Sequence, residues 1–284
     1  MTKERIGVMF DRDQRPEDLP AFAAAVERAG ADDLWLVEDL AWAGAISSAA
    51  LALTATERLR VGIGIMPAPL RNPALLAMEL ATLARVFPGR VIAGIGHGVA
   101  EWMASVGAAA PAKLPLLGET ITAVRQLLSG ETAQLDGRAV HIDGVRLVHP
   151  PAAPPPVVAG VIRPRSLALS GRVADGTVLS EGHGPAAVTA ALARIAPGRP
   201  HELVVFTYLS LTDPLTRIAA ETADWLGVAP ADVFLATGDA ATAADRVRDL
   251  WAAGTTTVVL RAVGDDPLPQ IGATLAALGR EPEE

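Results

Sequence analysis

Apolar and polar positions fall into short branched-apolar runs that alternate with longer segments of helical period. Residues 5–10 predict a first strand, and residues 17–28 a helix that Gly30 stops. Residues 33–38 form a second apolar run ending on Glu38 and Asp39, and residues 59–66 a third running into the Pro-rich turn from Pro67 to Pro73. An amphipathic helix through Phe87 then leads to a fourth run, residues 90–98, closed by Gly96-His97-Gly98. Prolines 111 and 115 break the chain before a helix over residues 116–128. Further strands are expected at 157–161, 177–180, 203–209 and 256–261, with helices after each.

One stretch departs from this alternation. Residues 134–147 alternate around two Asp-Gly pairs, Asp136-Gly137 and Asp143-Gly144, which is a hairpin pattern. The hairpin, about residues 133–149, reads as an excursion between the fourth and fifth strand-helix units. Pro154-Pro155-Pro156 then feeds the fifth strand in extended form. About eight strands alternating with helices make parallel right-handed units, and eight is the number at which a parallel sheet closes. The fold class expected is α/β, a single (β/α)8 TIM barrel over residues 1–284. An open doubly wound sheet is the alternative.

Composition narrows the partners. With 50% apolar and 20% charged residues a large core can form, and no apolar run reaches the roughly 18 residues of a membrane span. A formal charge of -8 argues against broad nucleic-acid or acidic-membrane binding, since phosphate neutralisation needs a concentrated basic face. The absence of cysteine removes disulfides and thiolate chemistry, and the first residues lack a signal-peptide apolar core, so a cytoplasmic enzyme is expected. The five histidines are scattered, with no two-histidine helical motif, and no metal site is expected. No Gly-x-Ser-x-Gly elbow occurs.

In a barrel, ligands meet the chain where the strands end. Glu38 and Asp39, with Trp42 close behind, form an acid pair beside an indole; they read equally as a helix-capping acid and a rim tryptophan. Gly64, Ile65, His97, Gly98, Gly160, Ser180 and Glu181 stand at other strand ends. Gly94-Ile95-Gly96-His97-Gly98-Val99 ends in valine, and no acid closes a second strand about 20 residues on, so a dinucleotide fold is rejected. Arg163 and Arg165 open a helix, where free N–H groups and the dipole favour an anion; solvated helix-start charges are the alternative.

The motifs Gly62-Ile63-Gly64-Ile65-Met66-Pro67, Arg71-Asn72-Pro73, Pro88-Gly89-Arg90, Gly94-Ile95-Gly96-His97-Gly98, Val158-Ala159-Gly160 and Gly171-Arg172-Val173-Ala174-Asp175-Gly176 share an order and spacing. In these the chain resembles the bacterial luciferase-like flavin and deazaflavin oxidoreductases, and within them the branch using coenzyme F420, similar to methylenetetrahydromethanopterin reductase. The resemblance implies a TIM barrel with the deazaflavin at the strand ends and a non-prolyl cis peptide matching Gly64-Ile65. It also implies that Met66, His97 and Gly98 line the ring, and that backbone at Gly160 and Val161 holds the phosphate. Arg163, Arg165, Ser180 and Glu181 complete the expected cofactor set, and Trp42 and Trp102 the substrate side.

The implied activity is hydride transfer between F420 and a small organic substrate, with Glu38, Asp39 and His97 as catalytic groups, in a homodimer. Asp39 and Val99 stand where the sugar-phosphate dehydrogenase branch has a histidine and a glutamate, which counts against glucose 6-phosphate. The alternatives are an FMN-dependent monooxygenase and an F420-binding protein without turnover. A barrel isomerase of phosphorylated sugars is more distant.

Overall fold

The computed structural model describes residues 4–281, so residues 1–3 and 282–284 of the unit expected over 1–284 lie outside it. The first half of the chain runs β1 (Arg5–Met9), α1 (Leu19–Arg28), β2 (Asp33–Leu36), α2 (Ala45–Thr54), β3 (Arg60–Pro67), α3 (Pro73–Val86), β4 (Val91–Gly96), α4 (Ala100–Ser105) and α5 (Lys113–Leu128). A hairpin, β5 (Ala133–Asp136) and β6 (His141–Val145), precedes β7 (Val157–Gly160), α6 (Pro164–Val173), β8 (Gly176–Leu179) and α7 (Pro185–Ile195). The chain continues through β9 (Glu202–Ser210), α8 (Thr216–Leu226), β10 (Ala236–Thr237), α9 (Ala240–Ala252), β11 (Thr257–Ala262) and α10 (Leu268–Ala277).

Strands β1, β2, β3, β4, β7, β8, β9 and β11 pair in that order, all parallel, and β11 returns to β1. The sheet is therefore closed, and the open doubly wound alternative is excluded. The two-residue β10 adds to the far end of β9. The antiparallel hairpin stands where the Asp-Gly pairs place it. It is tied to the barrel by Glu119 of α5, whose carboxylate accepts from the backbone N–H groups of Arg138, Ala139 and Val140 at 2.7–2.9 Å. Several boundaries differ from expectation by one or two residues, and one by three. Helix α5 begins at Lys113, with Pro115 inside its first turn, because an N–H there has no intrahelical partner to lose.

Alternation along the strands separates two cores. Val204 and Phe206 point into the barrel beside Met9, Trp35, Ile92, Val158, Val178 and Val259, while Leu203, Val205 and Leu209 pack outward under the helices. Trp35 fits inside because its neighbours carry no side chain: a Cβ on Gly62 would lie 2.6 Å from the indole. Phe206 meets the same indole edge-on, the centroids being 5.4 Å apart. At the opening ends of the strands, Arg5, Asp33, Arg60 and Glu202 form an ion network that closes the bottom of the barrel.

Candidate functional site

The closing ends of the strands surround a cleft of about 620 Å³. Strand ends and the loops that follow them line it. β2 brings Val37, Glu38 and Asp39; β3 brings Gly64 and Ile65; β4 brings His97 and Gly98, with Trp102 from α4. β7 contributes Gly160 through Arg163, α6 Ser166, β8 Ser180 and Glu181, and β11 Arg261.

The floor is Ile65. The Gly64–Ile65 peptide bond is cis, and the β3–β4 register shifts between Ile63 and Met66. The Ile65 side chain lies in space that neighbouring strands leave open by having glycine: a Cβ on Gly160 would stand 2.3 Å from Ile65 Cγ2, and one on Gly96 2.7 Å from its Cδ1. Gly64 itself is confined from below, where a Cβ would meet Phe206 Cζ at 2.7 Å.

Guanidinium–carboxylate pairs ring the opposite side. Asn72 caps α3 by accepting from the Ala74 N–H, and this fixes the turn from which Arg71 grips Glu38 with both Nε and Nη2. Arg12 holds Asp39 at 2.6 Å and lies 4.6 Å above the Trp42 ring. Arg261 joins Asp11 at 2.5 Å and Glu181 at 3.0 Å, with Tyr208 stacked beneath it at 5.1 Å. Charge-assisted pairs of this kind fix direction as well as charge.

His97 shares a hydrogen bond of 3.1 Å with Ser166 Oγ. Burial, and then the charge of Lys113, lower its pKa, so its ring is neutral at pH 7. Burial likewise lowers His183, next to the cleft, and His201, whose Nε2 meets Thr177 Oγ1 at 2.8 Å. A histidine kept neutral by the fold contributes its full stability above the unfolded pKa of about 6.5, and that stability falls as pH drops, because only the unfolded chain takes up the proton freely. The melting temperature is therefore expected to fall between pH 7.5 and pH 5.5, and to fall less in His201→Gln. A Tm that stays level or rises over that range refutes the assignment.

Most residues named from sequence converge on the cleft: Glu38, Asp39, Gly64, Ile65, His97, Gly98, Trp102, Gly160, Val161, Arg163, Ser180 and Glu181 all line it. Three do not. Met66 is fully buried in the outer core, because side chains alternate along a strand and Ile65 takes the inward face. Arg165 is exposed on α6, a turn position away from the face shared by Arg163 and Ser166. Trp42 stands at the rim, 44% exposed, against Trp102 with ring centroids 6.3 Å apart. The Val161 N–H already donates to the Val178 carbonyl, so the first amides beyond that ladder belong to Ile162 and Arg163. Arg12, Arg261, Ser166 and Trp225 line the cleft without having been singled out from sequence. Among the described residues no cluster of three or more His, Cys, Asp or Glu is placed to hold a metal ion, and no helix is long and apolar enough to cross a membrane.

The profile of the family described as "Luciferase-like monooxygenase" matches residues 1–280. Over 192 residues, 61% of this chain, the sequence is 27% identical to the F420-dependent glucose-6-phosphate dehydrogenase of Nakamurella multipartita, of which the match covers 55%. Over 177 residues, 62% of this chain, it is 27% identical to the 5,10-methylenetetrahydromethanopterin reductase of Methanolobus tindarius, of which 54% is covered. The matches thus span just over half the length of these relatives. The fold superposes on the coenzyme F420 dependent tetrahydromethanopterin reductase from Methanopyrus kandleri with a TM-score of 0.80, 19% identity and 97% of each chain covered. On an F420-dependent secondary alcohol dehydrogenase in complex with an F420-acetone adduct the TM-score is 0.83, at 18% identity, with 98% of this chain and 99% of that one covered. At these identities the structural likeness concerns the fold.

Proposed function

Because the chain belongs to the luciferase-like monooxygenase family, we propose that it is a coenzyme F420-dependent oxidoreductase, moving a hydride between the deazaflavin and a small organic substrate. The observation that carries this reading is the cleft floor. Ile65, set between the glycines of β4 and β7, offers a flat apolar support to a planar ring at the closing ends of the strands. The fit extends to a donor: Ser180 Oγ is buried, lines the cleft and has no hydrogen-bond partner among the described residues. The F420-dependent relatives support the choice of cofactor.

When bound, the deazaflavin supplies the hydride-accepting and hydride-donating carbon, while the protein supplies binding and orientation. Gly64 and Ile65 would support the ring, with His97 and Gly98 at its edge. The Ile162 and Arg163 amides, the Arg163 guanidinium and the start of α6 would hold the phosphate. Glu38 and Asp39, each gripped by an arginine, would act as fixed carboxylates beside the substrate. His97, neutral and hydrogen-bonded to Ser166, is the group suited to pass a proton.

Titrating the purified protein with F420 and with FMN tests the reading. Micromolar F420 binding, seen as quenching of cofactor fluorescence, is expected, with FMN weaker. Binding of FMN without F420 reverses the assignment to the flavin-dependent monooxygenase that the family's description favours.

A further inference from the structure

The cations around the substrate side of the cleft are all engaged within the protein. Arg12 is held by Asp39, Arg71 by Glu38, and Arg261 by both Asp11 and Glu181. Three guanidiniums thus face four carboxylates, an excess of one negative charge, and Asp13 adds another at the rim, accepting from Trp42 Nε1 at 3.2 Å. These groups come from β1, β2, β3, β8 and β11, so the arrangement encloses one whole side of the barrel mouth. The two cations near the cleft without an ion pair among the described residues stand elsewhere. Arg163 follows β7, and Lys113, whose charge acts on His97, starts α5. Arg163 belongs to the wall assigned above to the cofactor's phosphate, and Lys113 acts on His97 from behind the residues that line the cleft.

The rest of the substrate side is apolar. Met9, Val37 and Phe206 line its depth, and Trp102 and Trp225 its entrance, with Trp42 packed behind Trp102. An anionic substrate entering there would meet no free cation and would need to break an existing pair, leaving a carboxylate unpartnered in a partly buried place. A neutral molecule with a ring or chain body would bury its surface against the aromatic wall and disturb none of the pairs.

Resting on the F420 reading, we infer that the substrate is uncharged and apolar-bodied, and that the Arg12–Asp39 and Asp11–Arg261–Glu181 pairs exclude sugar phosphates and carboxylates. The relatives' glucose 6-phosphate would then be rejected on charge.

A matched pair of probes, 2-naphthol and 2-naphthyl phosphate, tests this by calorimetric titration of the full-length protein with and without F420. The neutral probe is expected to bind roughly ten-fold tighter or better. In Glu181→Gln, where Arg261 keeps one carboxylate instead of two, the ratio of the two affinities is expected to shift about ten-fold toward 2-naphthyl phosphate. Asp39→Asn, which releases Arg12, is expected to move the ratio in the same direction. The inference is overturned if 2-naphthyl phosphate binds to the unaltered protein as tightly as 2-naphthol, or if neither binds. Loss of F420 binding with the neutral preference intact overturns the cofactor assignment and leaves the charge selectivity standing. F420 binding with the phosphate preferred does the reverse.

Discussion

Gly160→Ala is expected to weaken F420 binding by about ten- to a hundred-fold, the equivalent of the 1–3 kcal/mol that overpacking typically costs. The added methyl would stand 2.3 Å from Ile65 Cγ2, and the next nearest atoms, at 3.2 and 3.3 Å, are Cγ1 and Cβ of the same residue. A β-branched side chain cannot turn one methyl aside without swinging the others. Its other flank is filled, since Ile65 Cγ1 and Cδ1 already occupy the space over Gly96. The side chain must therefore rise into the cleft, where it would tilt or displace a ring resting on it. Ile65→Ala in the same chain removes the obstacle. The double variant Ile65→Ala/Gly160→Ala is expected to recover much of the affinity lost in Gly160→Ala, a coupling that a merely damaged strand would not produce. F420 titration of the three variants and the unaltered chain reads this directly. Equal affinity in Gly160→Ala and the unaltered chain would remove Ile65 from the floor.

The same contact shows where sequence reading stops. Gly160 stood out because it ends an apolar run, and the strand count carried the barrel, since period and alternation are local properties of the chain. The partner of Gly160 is Ile65, nearly a hundred positions earlier, and the two strand ends come together only because β4 pairs with both β3 and β7. Arg261 and Asp11 are separated by 250 positions and meet because β11 pairs with β1. No spacing rule reaches that far, which is why Glu181 was legible as a strand-end acid and its guanidinium partner was not. Met66 and Arg165 fall outside the cleft for a more local reason. Each is adjacent in sequence to a cleft residue, but one step along a strand reverses the face and two steps along a helix turn it by about 200°. The direction of Trp35 into the barrel, with Gly62 yielding to it, fixes which residues of β2 and β3 face inward.

Asp33→Ala is expected to cost about 3–5 kcal/mol, because it removes a fully buried carboxylate shared by two guanidiniums at the closed end of the barrel. Asp33 has no solvent exposure. Its Oδ1 accepts from Arg5 Nη2 at 2.7 Å and Arg60 Nε at 2.8 Å, and its Oδ2 from Arg60 Nη2 at 2.8 Å. Burial by itself would lower the pKa of Arg60, yet the Asp33 and Glu202 carboxylates outweigh it and the net shift is upward. Without Asp33, Arg60 keeps only the longer contact to Glu202 at 3.3 Å, and Arg5 only the Asp32 carbonyl at 3.1 Å. Two positive charges would then face each other across β1 and β3 in a partly dry space. At roughly 2–4 °C per kcal/mol for a domain of this size, the melting temperature is expected to fall by about 10 °C or more. Asp33→Asn, which keeps an oxygen acceptor but no charge, is expected to fall between the two. The pairs lie at the opposite end of the strands from the cleft, so at low temperature F420 affinity is expected to stay level in both variants. A Tm within about 2 °C of the unaltered chain in Asp33→Ala would mean that water or rearrangement solvates the two arginines, and that hydrophobic packing alone closes this end of the barrel.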